Sequence, residues 1–243
     1  MKLNSLVLAL FTIAAGLRVS SAADITGIIT LNGTPPAEKT NTDILDPKYA
    51  DTCGKLLTGP VTTQFYVVGK NNGLKDVVVY LTGIKGKSVG GSAAPIVLDQ
   101  KVCEYAPYII AVQTGQKILI RNSDPAPIAH NIHAQPKLPG NNEQNKLQSP
   151  GDPDIALTFD TPEDFITFAC DVHPWMRAYV TVVDHPWFAV TGADGSFKIA
   201  NVPPGKYTVQ ALHRKANGGK PVTKDTEVKD GSVTLDFVLD VPK

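Results

Sequence analysis

The sequence predicts an all-β protein of sandwich type, on three observations. Short runs of β-branched and aromatic residues recur between Gly, Pro and Asn. No stretch sustains a 3.6-residue apolar period, and 243 residues suffice for one large or two modest domains, each with its own core. Size therefore imposes no need for a metal merely to fold. Lys plus Arg and Asp plus Glu number 23 each, so the formal net charge is zero. A field that would steer nucleic acid or anionic lipid is not implied, and no nucleic-acid partner is expected.

In chain order, Met1-Lys2-Leu3 precedes an apolar run over residues 6–17, and Ser20-Ser21-Ala22-Ala23 follows with small residues where a signal peptidase cuts. That run is well short of the roughly 20 residues that cross a bilayer. Residues 1–23 therefore read as a cleavable signal peptide. The mature chain is expected in the periplasm or secreted, with no transmembrane segment.

Strand-like runs follow at residues 25–30, 65–68, 77–81, 118–120, 179–183 and 207–209. Each is short and rich in Val, Ile, Thr, Tyr or Phe, as a half-buried pleated strand requires. Residues 134–154 are rich in Gln, Asn, Pro and Gly and have too little apolar content for a core strand. They read as a long surface loop.

Export would place the chain where disulfides persist. Three cysteines permit three single pairings. The economical one joins Cys53 to Cys103 and leaves Cys170 as a thiolate, because only Cys170 sits among His and Met.

The strongest local signal is FACDVHPWMRAYVTVV, in which Cys170, His173 and Met176 follow a strand-like run. A thiolate, an imidazole and a thioether offered from one turn suit a soft, redox-active ion, and copper in a His2Cys plane with a long axial Met is defined by these donors. Zinc prefers harder or more numerous strong ligands. A second imidazole must come from elsewhere, and NSDPAPIAHNIHA supplies it as His130 or His133. Three residues apart on a strand, these two rings point to opposite faces, so one strand cannot aim both at a metal. Parity alone leaves open which of His130 and His133 is the ligand. His185 and His213 stand apart and read as structural or exposed, and Trp175 and Trp187 as packing residues. No Gly-x-Ser-x-Gly elbow, phosphate loop, zinc-protease helix or haem Cys-x-x-Cys-His occurs.

PIVLDQKVCEYAPYIIAVQTGQKILIRNSD resembles the opening strands of cupredoxins, and Ala129-His130-Asn131 resembles the element that gives them their first copper His. The Cys-x-x-His-Pro-aromatic-Met-Arg run is similar to that of amicyanin. This resemblance covers about 90 residues, from 95 to 184. It implies a Greek-key sandwich binding one type 1 (blue) copper through His130, Cys170, His173 and Met176, with Asn131 bracing the two ligand loops. It also implies that His173 lies near the surface as the electron exit, beside an apolar patch of Pro174 and Trp175. Where plastocyanin and amicyanin have Pro two residues after the Cys, this chain has Val172, whose N–H could give sulfur a second hydrogen bond and raise the potential.

The run FAVTGADGSFKIANVPPGKYTVQALH, with TEVKDGSVTLDFVL after it, resembles the carboxypeptidase regulatory-like (transthyretin-like) sandwich. The strands with which that family opens are similar to ITGIITLNGTPP and KDVVVYLTG, far upstream. The expected organisation is thus a discontinuous sandwich of residues 24–94 and 185–243 with a cupredoxin domain, 95–184, inserted. Domain termini lie close together, so insertion at a surface loop is tolerated. The alternative is two consecutive domains split near Asp184.

With four protein groups on the metal no position is open to substrate, so an electron carrier rather than an enzyme is expected. Its partner would be a redox protein such as a c-type cytochrome or a copper or quinone enzyme. Copper storage or delivery, and a metal-free surface-binding sandwich, are the other classes the sequence admits.

Overall fold

A computed structural model of the chain describes residues 22–229 and 231–242; the expected signal peptide lies, up to residue 21, outside the described residues. Strand β1 (Ala23–Asn32) carries Ile25, Ile29 and Leu31 on one buried face, the period-two pattern of a half-buried strand. Short helical turns and irregular chain lead to β2 (Val78–Leu81). Nine strands follow before the chain returns: β3 (Ile96–Lys101), β4 (Glu104–Ala106), β5 (Ile109–Gln113), β6 (Ile118–Asn122), β7 (His130–Gln135), β8 (Gln144–Gln148), β9 (Ile155–Leu157), β10 (Glu163–Ala169) and β11 (Arg177–Val183). The last six are β12 (Phe188–Val190), β13 (Ser196–Val202), β14 (Gly205–Leu212), β15 (Val222–Val228), β16 (Val233–Thr234) and β17 (Phe237–Asp240).

The protein is all-β. Strands β1, β13, β16 and β17 share one sheet and β12-β2-β14-β15 form another; β5-β11-β10-β7-β8 and β4-β3-β6-β9 are the remaining two. The first pair encloses a core of Ile25, Leu74, Leu81, Ile199, Val209 and Leu239. The second pair encloses Leu98, Ile120, Ile132, Phe159, Phe168 and Val180. Between them lies a smaller apolar cluster to which β2 gives Val78 and β5 gives Ile109 and Ala111. The chain leaves β2 and comes back to its antiparallel neighbour β12, Phe188 opposite Tyr80. At this return Asp184 accepts hydrogen bonds from Thr114 Oγ1 (3.0 Å) and Gly86 N (2.5 Å), and His185 Nε2 donates to the Leu81 carbonyl (2.8 Å).

Two sequence expectations give way. Residues 65–68 form no strand: the N–H groups of Phe65 (2.7 Å) and Tyr66 (2.5 Å) are taken by the Glu38 carboxylate, and Val68 makes only an isolated bridge to Leu74. Within 134–154, β8 pairs antiparallel with β7, from His130↔Gln148 to Ala134↔Gln144. An edge strand has a solvated face and needs little apolar content, so composition concealed it.

The segment from Ile44 to Val61 precedes β2 yet packs Ile44, Cys53 and Val61 into the second core. A disulfide joins Cys53 to Cys103, 50 residues on, and ties that strap beside β4.

Candidate metal centre

Residues 170–176 form the turn between β10 and β11. Met176 N donates to the His173 carbonyl (2.9 Å) and Cys170 N to the Met176 carbonyl (3.4 Å), so three candidate donors are held in one tight loop. Strand β7 lies antiparallel beside β10, with His133 opposite Ala169, and this register carries His130 to the same end of the sheet. The His130 and His173 Nδ1 atoms are 2.9 Å apart, and Cys170 Sγ is 3.8 Å from His173 Nδ1. One ligand atom from each of the three lies within 4.8 Å of the others. Cys170 is unpaired, and it, His130 and Met176 are buried. The structure thus brings His130, Cys170 and His173 together from two strands' ends, with Met176 closing the loop.

Asp124 orients the first imidazole. Its Oδ2 is 2.8 Å from His130 Nε2 and also accepts from Cys103 N (2.8 Å), while Oδ1 accepts from Val102 N (2.5 Å). Burial pushes the Asp124 carboxyl up, but these donors outweigh it and hold it below the usual range. An ionised carboxylate only accepts, so Nε2 carries a proton and Nδ1 is the ring atom presented to His173 and Cys170. Two ring nitrogens 2.9 Å apart require a proton or a cation between them.

The thiol is tuned in the same direction. Burial raises its pKa, yet hydrogen bonds from the His130 and His173 rings and from the Asn131 and His173 backbones prevail and bring Cys170 down to about 6. The His130 ring loses by burial and gains more from Asp124 and Cys170, so its pKa is raised. Asn131 stitches strand to loop: its Oδ1 accepts from Asp171 N (2.7 Å) and Val172 N (3.3 Å), and its Nδ2 donates to Asn145 Oδ1 (2.8 Å) and Asp171 Oδ2 (3.0 Å).

Four details bear on these expectations. His133 faces outward, with Nδ1 3.0 Å from Asp171 and Nε2 2.5 Å from Glu143, away from the thiol. The Val172 N–H is directed to Asn131 Oδ1 rather than to sulfur, because the side-chain oxygen lies in front of it. His173 is not a surface residue. Only 4% of it is exposed, because Tyr49 of the strap covers it, ring to ring at 5.4 Å, and donates its hydroxyl to the Val172 carbonyl (3.0 Å). Trp175, which the resemblance places in a surface patch, is instead buried as a packing residue, edge-on against Tyr49 (4.7 Å) with its Nε1 donating to the Cys103 carbonyl (2.8 Å). Asp124 and Tyr49 join the site without being expected there from the sequence. The run Asn122-Ser123-Asp124 offered a carboxylate six residues before His130, but nothing local announced the strap. His185 and His213 are both buried and remote from this cluster.

The donor set fits a soft cation: a depressed thiol, two converging imidazole nitrogens and a thioether, with a buried carboxylate fixing one tautomer. Among the described residues no helix is long and apolar enough to cross a membrane.

No protein-family model matches the chain, and no curated protein matches it. Among solved structures, 38% of the chain is similar to a copper-containing nitrite reductase from Thermus scotoductus SA-01, at 16% identity and TM-score 0.34. The chain spans 23% of that protein's length. Amicyanin from Paracoccus versutus aligns over 43% of this chain and 97% of its own, at 20% identity and TM-score 0.32. A Cu(I) amicyanin mutant aligns over 43% and 98%, at 19% identity and TM-score 0.32.

Proposed function

We propose that this chain is an exported blue-copper protein that binds one type 1 copper through His130, Cys170, His173 and Met176 and passes single electrons between redox partners. The observation that carries this reading is the convergence of two imidazole nitrogens on an unpaired, buried thiol whose pKa is depressed to about 6. Copper, when bound, supplies a one-electron couple between Cu(I) and Cu(II). The residues do the rest. Cys170 offers a thiolate at neutral pH, Asp124 holds the His130 proton on Nε2, and Asn131 keeps β7 and the 170–176 turn in one geometry. Four protein donors leave no position for substrate, which favours a carrier over an enzyme.

The domain arrangement belongs to the same proposal. Residues 95–184 form the copper-binding unit, inserted in a transthyretin-like sandwich of 24–94 and 185–243. The sheet pairing of β2 with β12 supports it, while the strap, although it belongs to the first segment in sequence, closes the copper end of the inserted unit. A c-type cytochrome or a copper or quinone enzyme is the proposed partner.

Titration of metal-free protein with Cu(II) tests the reading. One equivalent should produce the intense visible band of a Cu(II)–thiolate bond, absent in Cys170→Ser, and the loaded protein should exchange electrons with a c-type cytochrome. Copper uptake without that band would refute a type 1 site. The band without electron exchange, but with copper handed to an acceptor protein, would mean delivery rather than electron transfer.

A further inference from the structure

A cavity of about 250 Å³ lies on the far side of the ligand turn, walled by Trp175, Met176 and Arg177 on one side and by Arg214 and Lys215 of the other sandwich opposite. Three cations line it, and among the described residues none of them has a carboxylate within ion-pair distance. Arg177 Nη1 donates to the Met176 carbonyl (3.1 Å), and Lys215 Nζ sits 4.2 Å above the Phe65 ring. The Arg214 guanidinium lies over Tyr179, its Cζ 3.2 Å from the ring centroid, and donates to Tyr108 Oη (2.5 Å). Stacking and one hydrogen bond fix that guanidinium while leaving most of its five N–H donors unused.

The one carboxylate in the wall is Glu104, whose Oε1 accepts from Gln64 Nε2 (3.3 Å). Burial pushes its pKa up, and it makes no ion pair with any of the three cations. Half-buried cations without counter-charge are costly to hold, and aromatic rings flank them; a bound anion with a flat apolar body would satisfy both features. The volume is below that of drug-sized sites, which limits the occupant to about a single ring.

We infer that this cavity is a binding site for a small aromatic carboxylate, held by Arg214 and Lys215 between the two sandwiches and against the back of the Met176 loop. The site itself does not depend on copper. Its influence on the metal rests on the proposed function, because Met176 is both cavity wall and proposed axial donor, and axial contacts tune a copper potential.

Calorimetric titration of the metal-free, full-length protein with benzoate, and with benzyl alcohol as the uncharged analogue, tests the site separately from the copper reading. Benzoate should bind once per chain and benzyl alcohol much more weakly. Arg214→Gln should weaken benzoate about tenfold or more, as loss of a charge-assisted contact does. Lys215→Gln, which leaves the stacked guanidinium in place and is the safer variant for folding, should weaken it in the same direction. No benzoate binding, equal binding of the alcohol, or unchanged affinity in folded Lys215→Gln would overturn the inference. In copper-loaded protein, benzoate should also shift the potential; binding without any shift would overturn the link to Met176.

Discussion

Lowering the pH from 7 to 4 should destabilise the fold through His213, outside the candidate metal centre. The ring is 3% exposed, and its Nδ1 accepts from Ala216 N (2.9 Å) and Lys215 N (3.2 Å), so protonating Nδ1 breaks both bonds. Burial first, and then the neighbouring Arg214 charge, depress its pKa from 6.5 to about 4. A depressed folded-state pKa means that the unfolded chain takes up the proton first. The stability is therefore present above pH 6.5 and lost as the pH falls through the folded value. The gap of roughly 2.5 units, at about 1.4 kcal/mol each, makes this about 3 kcal/mol between pH 7 and 4. Urea unfolding across that range, compared with His213→Gln, isolates the contribution from other titrating groups. The variant should be less stable at pH 7 and should have a flatter pH dependence by about that amount. Equal slopes, or an NMR titration placing His213 at its ordinary value in the folded protein, would rule out this role for the ring.

Replacing Cys53 and Cys103 together by Ala opens a loop of 50 residues and should cost about 4 kcal/mol in urea unfolding on chain-entropy grounds; a loss near zero would mean that the strap is held by packing alone. Asn131→Ala leaves the Asp171 and Val172 N–H groups without their acceptor and should cost roughly 2–4 kcal/mol. It should also weaken copper binding, and unchanged copper affinity would contradict the bracing role. Tyr49→Ala should expose the His173 ring and speed its modification by diethyl pyrocarbonate in the metal-free protein. An unchanged rate would show that Tyr49 is not what covers it.

The β-rich architecture was legible because Val, Ile and Thr runs between turn residues are local signals, and the ligand turn was legible because Cys170, His173 and Met176 are close in sequence. Strand parity allowed only one of His130 and His133 to face the turn, and the resemblance of Ala129-His130-Asn131 to the cupredoxin element favoured His130. What escaped was non-local. Tyr49 reaches His173 only because the strap folds across the sheets, and Asp124 meets both Cys103 N and His130 only after β6 and β7 are placed. Residues 65–68 carried strand-like side chains, but Glu38 claimed two of their backbone donors. The Val172 N–H was free on paper and is occupied by a side chain whose position depends on β7. Residue patterns thus pointed to candidate donors, while acceptors and covers came from the tertiary arrangement.

X-ray absorption at the copper edge of the loaded protein reports the donor atoms directly. One short sulfur and two imidazole nitrogens are expected, with the sulfur lost in Cys170→Ser and one imidazole lost in His130→Ala but not in His133→Ala. A shell of nitrogen and oxygen alone, or retention of both imidazoles in His130→Ala, would contradict this donor set.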